Sequence, residues 1–270
     1  VREFSAEYLE TTRVGMWEDS RDALADLDLP GRKRVLDVGC GTGELTRVLR
    51  EETPGEVVGL DADRGLLASV DPPRLQGDAL SLPVADDSFD LVVCQALLVN
   101  LPDPAAAVAE FARVSTDLVA VIEPNNAAVS VTSSADPEAT LARRARELYL
   151  QGISTDAALG ADAAALFEDE GLTDVSTTRY DHERRIEPPY SEHAVEAARR
   201  KASGEGLEAD RETMLAGDAT PEDVDDLRTA WRAMGRDVIA QMQSEEYHRR
   251  EVVPFFVTVG SVTPESATHR

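Results

Sequence analysis

The sequence predicts an open α/β sheet, mostly parallel, with helices on its connections. Three observations lead there. Between residues 34 and 123, strand-like runs alternate with segments of helical length, the pattern of successive parallel βαβ units. Two of the runs, "DLVVCQ" and "DLVAVIE", are almost continuously apolar, as strands covered on both faces are. The stretch "VLDVGCGTGELT", residues 35–46, runs an apolar strand into a glycine-rich turn and then into a helix.

Taken in order, residues 4–28 read as two short helices, with Phe4, Tyr8, Trp17, Leu24 and Leu27 on their apolar faces and Pro30-Gly31 ending them. Strand 34–39, helix 43–51, strand 56–61, helix 63–69, strand 73–76, strand 89–94, helix 104–113 and strand 117–123 follow. Asp136 and Pro137 are placed as N-cap and first residue of a helix reaching about residue 151. Another helix is expected over 156–170, stopped by Gly171. "LTDVSTTRYD", 172–181, alternates as a strand does, and "VVPFFVTVGSV", 252–262, is a strong final strand. The segment between these two strands is mostly helical. Its clearest helix is 221–249, capped by Thr220 with Pro221 at the first position. Val224, Leu227, Trp231, Met234, Val238 and Met242 fall at spacings of three and four and form one apolar stripe. Core packing is the simpler use of that stripe; the face of a homodimer is the other.

Composition limits the function classes. The chain has 270 residues, 42% of them hydrophobic, enough for one α/β domain with a cap. It has no apolar run long enough for a membrane span and no charged-then-apolar leader pattern in "VREFSAEYLE". Its two cysteines, Cys40 and Cys94, make no disulfide framework, so a cytoplasmic location with reduced thiols is expected. Asp and Glu total 52 against 27 Lys and Arg, a net charge of −25, and Lys33 and Lys201 are the only lysines. Excess carboxylate with little lysine resembles the cytosolic proteins of salt-accumulating halophiles. It also argues against nucleic acid as a partner, which needs a basic footprint. Cysteines and histidines lack metal-ligand spacing, so no metal is expected.

The glycine turn selects its guest by chemistry. A dinucleotide fingerprint needs G-x-G-x-x-G. Gly39 and Gly41 fit, but Glu44 takes the third place, where a carboxylate competes with pyrophosphate for the helix N-terminus. A phosphate loop needs a lysine after the glycines, and none follows. The spacing present is D-x-G-x-G-x-G: Asp37, Gly39, Gly41, Gly43. It resembles the class I S-adenosylmethionine-dependent methyltransferases, and most closely their small-molecule group typified by the quinone-biosynthesis enzymes. Three further blocks extend the resemblance in the right order: Asp61 and Ala62 in "VVGLDAD", Asp78 and Ala79 in "GDALSLP", and "DDSFDLVVCQALLVNLPDP", 86–104, with Gln95 just past the strand. It is strong over 33–125, weak over 156–181 and 252–262, and absent for 188–250.

The resemblance implies a Rossmann-like three-layer fold with a mostly parallel seven-stranded sheet, order 3-2-1-4-5-7-6, and a helical cap. It implies S-adenosyl-L-methionine as cofactor, with S-adenosyl-L-homocysteine as product. Asp37 and the glycines would lie along its methionine and nucleoside portions, Asp61 and Ala62 at the ribose, Asp78 and Ala79 at the adenine, and Gln95 at the methionine part. Two departures stand out: Asn100 replaces a histidine common in relatives, and the turn before the fifth strand lacks the family's "KPGG". The expected organisation is an N-terminal helical cap (1–30), a core (31–187 and 251–264), and a helical insert (188–250) that covers the site.

No catalytic residue is fixed. Asn100 and Asn125 fall just beyond the fourth and fifth strands, where open α/β sheets bind ligands, Glu123 ends the fifth strand, and His182 lies in the variable region; these are the candidates. Tyr8, Trp17, Tyr190 and Trp231 are candidate walls for an apolar acceptor. The bases Arg143, Arg144, Arg146, Arg184, Arg185, Arg199, Arg200 and Lys201 are more simply paired with local carboxylates than held for an anionic acceptor. The expected function is methyl transfer to a small molecule by in-line displacement. The alternatives are a cofactor-binding protein without turnover, an RNA or protein acceptor, and an NAD-dependent oxidoreductase.

Overall fold

The computed structural model describes residues 16–17 and 20–262, and the expected helices over 4–15 lie outside them. The chain divides into two compact units: residues 1–125, 158–180 and 254–270 form the first, and 126–157 with 181–253 the second.

Eight strands run β1 (Arg34–Val38), β2 (Glu56–Asp61), β3 (Arg74–Gln76), β4 (Phe89–Gln95), β5 (Ser115–Pro124), β6 (Ser130–Ser133), β7 (Thr173–Ile186) and β8 (Arg249–Ser261). The sheet order is β3-β2-β1-β4-β5-β8-β6, with β7 also paired to β8. The expected order is therefore found from the first strand to the fifth, with the final strand beside the fifth and β7 next to it. Strands β1 to β5 are parallel, and β8 runs antiparallel to β5 from Leu118↔Ser261 to Pro124↔Phe255. Strand β6 was not expected. Its sequence, SVTS, has one apolar residue and no readable alternation, and it exists because Ser130–Ser133 pair with Val252–Arg249.

In the first unit, helices α1 (Glu44–Glu52), α2 (Arg64–Leu67), α3 (Pro104–Val114) and α5 (Ala163–Asp169) accompany the strands; α4 (Glu138–Gly152) belongs to the second unit. The core joins Leu36 and Val38 of β1, Val92 and Cys94 of β4, and Val119 and Val121 of β5 to Phe111 of α3 and Phe167 of α5. All eight of these side chains are buried, which at roughly 25 cal/mol per Å² of apolar surface makes this layer the main source of stability. The expected N-terminal helix is a 3₁₀ helix over Arg21–Leu27, burying Leu24 and Leu27.

The second unit holds α4, α6 (Glu192–Ser203), α7 (Glu205–Ala209), α8 (Arg211–Ala216) and α9 (Pro221–Gln243). Thr220 caps α9 in a reciprocal box with Asp223, as two orphan N–H donors at a helix start require. The α9 stripe is spent inside this unit: Val224 and Leu227 pack with Leu148 and Met214, and Met234, Val238 and Met242 with Ala198 and Tyr247. Asp136 does not cap α4. Pro137 stands at that position and no side chain caps it. The chain turns first at Ala135, whose carbonyl accepts from Glu138 N–H at 2.9 Å, so α4 begins one residue later than expected.

Glu138 is 1% exposed. It accepts from the Ser133 hydroxyl at 2.6 Å and the Tyr247 hydroxyl at 2.8 Å, pairs with Lys201, and has Arg249 Nε at 3.2 Å. Burial alone would raise its pKa, but Lys201 foremost, then Ser133 and Arg249, hold it below the ordinary carboxylate value. A folded-state pKa below the unfolded one contributes stability at neutral pH that is lost as pH falls through it. Glu138→Ala would leave two cations out of water, and should lower stability by about 3 kcal/mol in urea denaturation at pH 7. The deficit should shrink on acidification.

Candidate functional site

The carboxyl ends of β1, β2, β4 and β5 converge in the first unit, and the expected residues fall there. The turn after β1 needs glycine. Gly39, Gly41 and Gly43 all have positive φ, +69°, +55° and +84°, a conformation that costs any residue with a Cβ. The turn is tied to β2 by Gly39 N–H and Cys40 N–H, which both donate to Leu60 O at 2.7 and 3.0 Å. Asp37 is 1% exposed and accepts from the Thr46 hydroxyl of α1 at 2.5 Å. Leu97, from the loop after β4, packs so closely on Gly39 that an added Cβ would stand 2.8 Å from its methyl carbon.

Asp61, ending β2, decides what the turn can hold. One of its oxygens accepts from Gly41 N–H at 2.8 Å and the other from Asp63 N–H at 2.8 Å. A turn amide that would otherwise face a phosphate is therefore occupied by a carboxylate, which also repels one. Glu44 adds a second carboxylate in the first turn of α1, with Arg47 of the same helix 3.7 Å away. Ala62 is exposed beside Asp61, and its carbonyl accepts from the Gln76 side chain at 3.1 Å. Pairing of Asp61 with Gln76 across β2 and β3 brings Asp78 and Ala79 to the same edge. Asp78 is exposed and accepts from Leu80 N–H at 3.0 Å, whereas Ala79 is buried.

Gln95 ends β4 and is 3% exposed. Its side-chain nitrogen lies 2.8 Å from Met16 Sδ, and its Oε1 has no partner. The Thr42 hydroxyl, within the glycine turn, is also buried without a partner. In the sequence Thr42 reads as a spacer between glycines, and only the orientation of the turn brings it forward.

The catalytic candidates separate. Glu123 is fully buried at the end of β5, and its oxygens accept from Leu97 N–H at 3.0 Å, Leu98 N–H at 2.9 Å and Val99 N–H at 3.3 Å, with the Cys94 thiol at 3.7 Å. Burial raises its pKa to about 7 against these four donors. Its lone pairs are spent on the loop, so its geometry is that of a clamp. Asn100 is half-buried and donates to Ala96 O at 2.8 Å, bracing the same loop. Asn125 N–H donates to Pro254 O at 2.9 Å. His182 is buried in the second unit, where burial first and Arg184 second lower its pKa, so it is neutral at pH 7.

Other expectations find structural employment. Tyr190 and Trp231 pack in the second unit, where the Tyr190 hydroxyl donates to Tyr247 O and accepts from Tyr247 N–H, both at 3.0 Å. The bases pair locally: Arg143 with Glu147, Arg144 with Asp223, Arg184 with Glu251, Arg185 with Glu183, and Arg199 with Glu196. A cleft of about 320 Å³ in this unit is lined by Arg185, Arg249 and Arg250, each in an ion pair with a glutamate. Cys40 and Cys94 are buried and free, and burial chiefly raises both thiol pKa values. Among the described residues no His, Cys, Asp and Glu group is arranged to hold a metal ion, and no helix is long and apolar enough to cross a membrane.

Residues 36–117 match the family model described as a methyltransferase domain. Over 107 residues the chain is 37% identical to demethylmenaquinone methyltransferase of Lactiplantibacillus plantarum, covering 35% of this chain and 45% of that protein. Over 98 residues it is 40% identical to ubiquinone biosynthesis O-methyltransferase of Hahella chejuensis, covering 32% and 40%. The chain thus spans less than half the length of these curated relatives. Among solved structures, the YcgJ protein of Bacillus subtilis superposes with a TM-score of 0.51 at 18% identity, over 90% of this chain and 99% of that one. A SAM-dependent methyltransferase from Archaeoglobus fulgidus does so at 0.50 and 14%, over 94% and 97%. At these identities the two structures speak to the fold alone.

Stability should report the Glu123 clamp. A carboxyl whose folded pKa lies near 7 against an unfolded value near 4.5 holds its proton longer in the native state. Stability therefore falls as pH rises between those values, by on the order of 3 kcal/mol, and is level above. Thermal melts of wild type and Glu123→Gln from pH 5 to 8 should show that slope only in the wild type.

Proposed function

We propose that this chain is a class I S-adenosylmethionine-dependent methyltransferase, a reading supported by the match of residues 36–117 to a methyltransferase-domain model, and that it moves a methyl group to a small-molecule acceptor by in-line displacement. The observation that carries the reading is the Asp61 carboxylate seated on Gly41 N–H. It turns the glycine loop from a phosphate cradle into a site for a cofactor with a ribose and a positive charge but no phosphate.

The residues present fit S-adenosylmethionine. Asp61, with Ala62 beside it, would accept from ribose hydroxyls, and Asp78 with Ala79 would meet the adenine. Gln95 Oε1, buried without a partner, suits an ammonium donor at the methionine end, and Asp37, Gly39, Gly41 and Gly43 bring backbone and negative charge close to it. The cofactor supplies an electrophilic methyl carbon on a sulfonium; the protein's share is alignment and exclusion of water. Glu123 and Asn100 contribute by fixing the loop after β4. The quinone-pathway names of the relatives support a small-molecule acceptor, and the charge of −25 supports work in a salt-rich cytoplasm and disfavours an RNA acceptor.

Calorimetric titration with S-adenosylhomocysteine should show binding, and NAD should show none; the reverse pattern would overturn the cofactor assignment. Asp61→Asn removes charge from both the ribose position and the Gly41 amide, and should weaken S-adenosylhomocysteine about tenfold or more, the scale of a charge-assisted hydrogen bond. Release of S-adenosylhomocysteine on adding a metabolite extract would separate an enzyme from a binding protein. If the carboxylate excess is an adaptation to salt, the melting temperature should rise between about 0.1 and 2 M KCl, where the screening length drops below about 3 Å.

A further inference from the structure

Some buried polar atoms of the first unit have no partner, and three of these fall on one connected set of side chains. They are Gln95 Oε1, Trp17 Nε1 and the Tyr180 hydroxyl. The connection is continuous. Gln95 touches Met16, Trp17 follows Met16, and the Trp17 and Tyr180 rings are 6.0 Å apart. Tyr180 then stacks on Phe255 at 5.6 Å and 19°. Both ends of this row are anchored at the carboxyl edge of the sheet: Gln95 pairs with Ile122 of β5, and Phe255 with Pro124.

Buried indole N–H and phenol O–H groups ordinarily find acceptors, and leaving one without costs about 1–3 kcal/mol. Two such donors beside three aromatic rings are therefore better explained by an absent partner than by core packing. The partner's chemistry follows from what the set offers. Indole N–H can only donate, so the partner carries an acceptor atom. The unpartnered donors sit on and beside aromatic rings, which favour a planar partner. Met16, Trp17, Gln95, Tyr180 and Phe255 carry no charge, so neither does the part of the ligand they hold. Burial also keeps the Tyr180 phenol protonated, as a donor must be.

We propose that Trp17 and Tyr180 form the acceptor subsite, taking an uncharged planar ring against their faces and its hydroxyl or carbonyl oxygen on their N–H and O–H groups. This rests on the methyl-transfer reading, which puts the methionine end of the cofactor at Gln95 and so places the row next to the transferred carbon.

The probe is 2-naphthol, compared with naphthalene, which keeps the plane and lacks the oxygen, and with 2-naphthoate, which adds charge. Each is titrated calorimetrically into the full chain, with and without S-adenosylhomocysteine. The expected result is 2-naphthol binding about tenfold tighter than naphthalene, the equivalent of one buried hydrogen bond. Trp17→Phe and Tyr180→Phe should each remove most of that preference while leaving S-adenosylhomocysteine affinity unchanged. Phe255→Leu should weaken both neutral rings together and keep the preference. Equal binding of naphthol and naphthalene, no binding of either, preference for naphthoate, or wild-type behaviour of both Phe variants would overturn the subsite. Loss of S-adenosylhomocysteine binding with the naphthol preference intact would leave the ring site standing and remove the methyl-transfer reading. The opposite pattern would do the reverse.

Discussion

The site in the first unit depends on one fully buried carboxylate. Glu123 ends β5 with no ion pair among the described residues, and three consecutive amides of the loop after β4 meet its charge. Desolvating a carboxylate is costly unless donors are fixed around it, so the loop and the side chain determine each other. From that clamp the geometry spreads outward. The loop carries Leu97, Leu97 lies on Gly39, and the Gly39 turn is held to β2 by two amides and by the Asp61 carboxylate. The ends of four strands are thus fixed by acceptors near Gly41 and Leu98, and the apolar layer beneath supplies the stability that such unfavourable burial needs.

Much of this was legible in the residues. The strands of the first unit follow from continuous apolar runs, and their order was what the family resemblance implied. The need for glycine in the turn was readable from the residues, whereas the bond from Gly41 N–H to Asp61 was not. Other parts were hidden for identifiable reasons. Strand β6 has no apolar pattern and is made by its partner. Asp136 has the right residue type for a cap, but a turn closed on the Ala135 carbonyl moves the helix start past it. Glu123 reads as a candidate for the cleft at a strand end, because sequence cannot show that neighbouring amides consume its lone pairs. Thr42 and Tyr180 look like a spacer and a strand residue, and only burial without a partner singles them out.

The second unit shows a different use of charge. In a chain of net charge −25, it buries carboxylates with arginine and lysine as partners. Glu251 is held at a pKa of about 2, with burial outweighed by Arg249 and Arg184. Such pairs contribute little beyond what apolar residues would, yet removing one member is costly. They therefore specify which surfaces meet more than they strengthen the meeting. Arg184 is accounted for in this way, while Arg143, Arg144, Arg185 and Arg199 pair with carboxylates nearer the surface of the unit.

The seam joining Gly39, Leu97 and Glu123 has a consequence for how the protein can vary. The space beside Gly39 is filled by Leu97, and Leu97 is placed by amides bound to Glu123. A side chain added at 39 therefore meets Leu97 as well as the strain of its positive φ, and an apolar residue at 123, which cannot accept from the loop amides, releases the loop that presents Leu97. The three positions, far apart in the chain, behave as one heritable unit. Epistasis among them is built into the geometry, so the effect of a substitution at any one depends on the state of the other two.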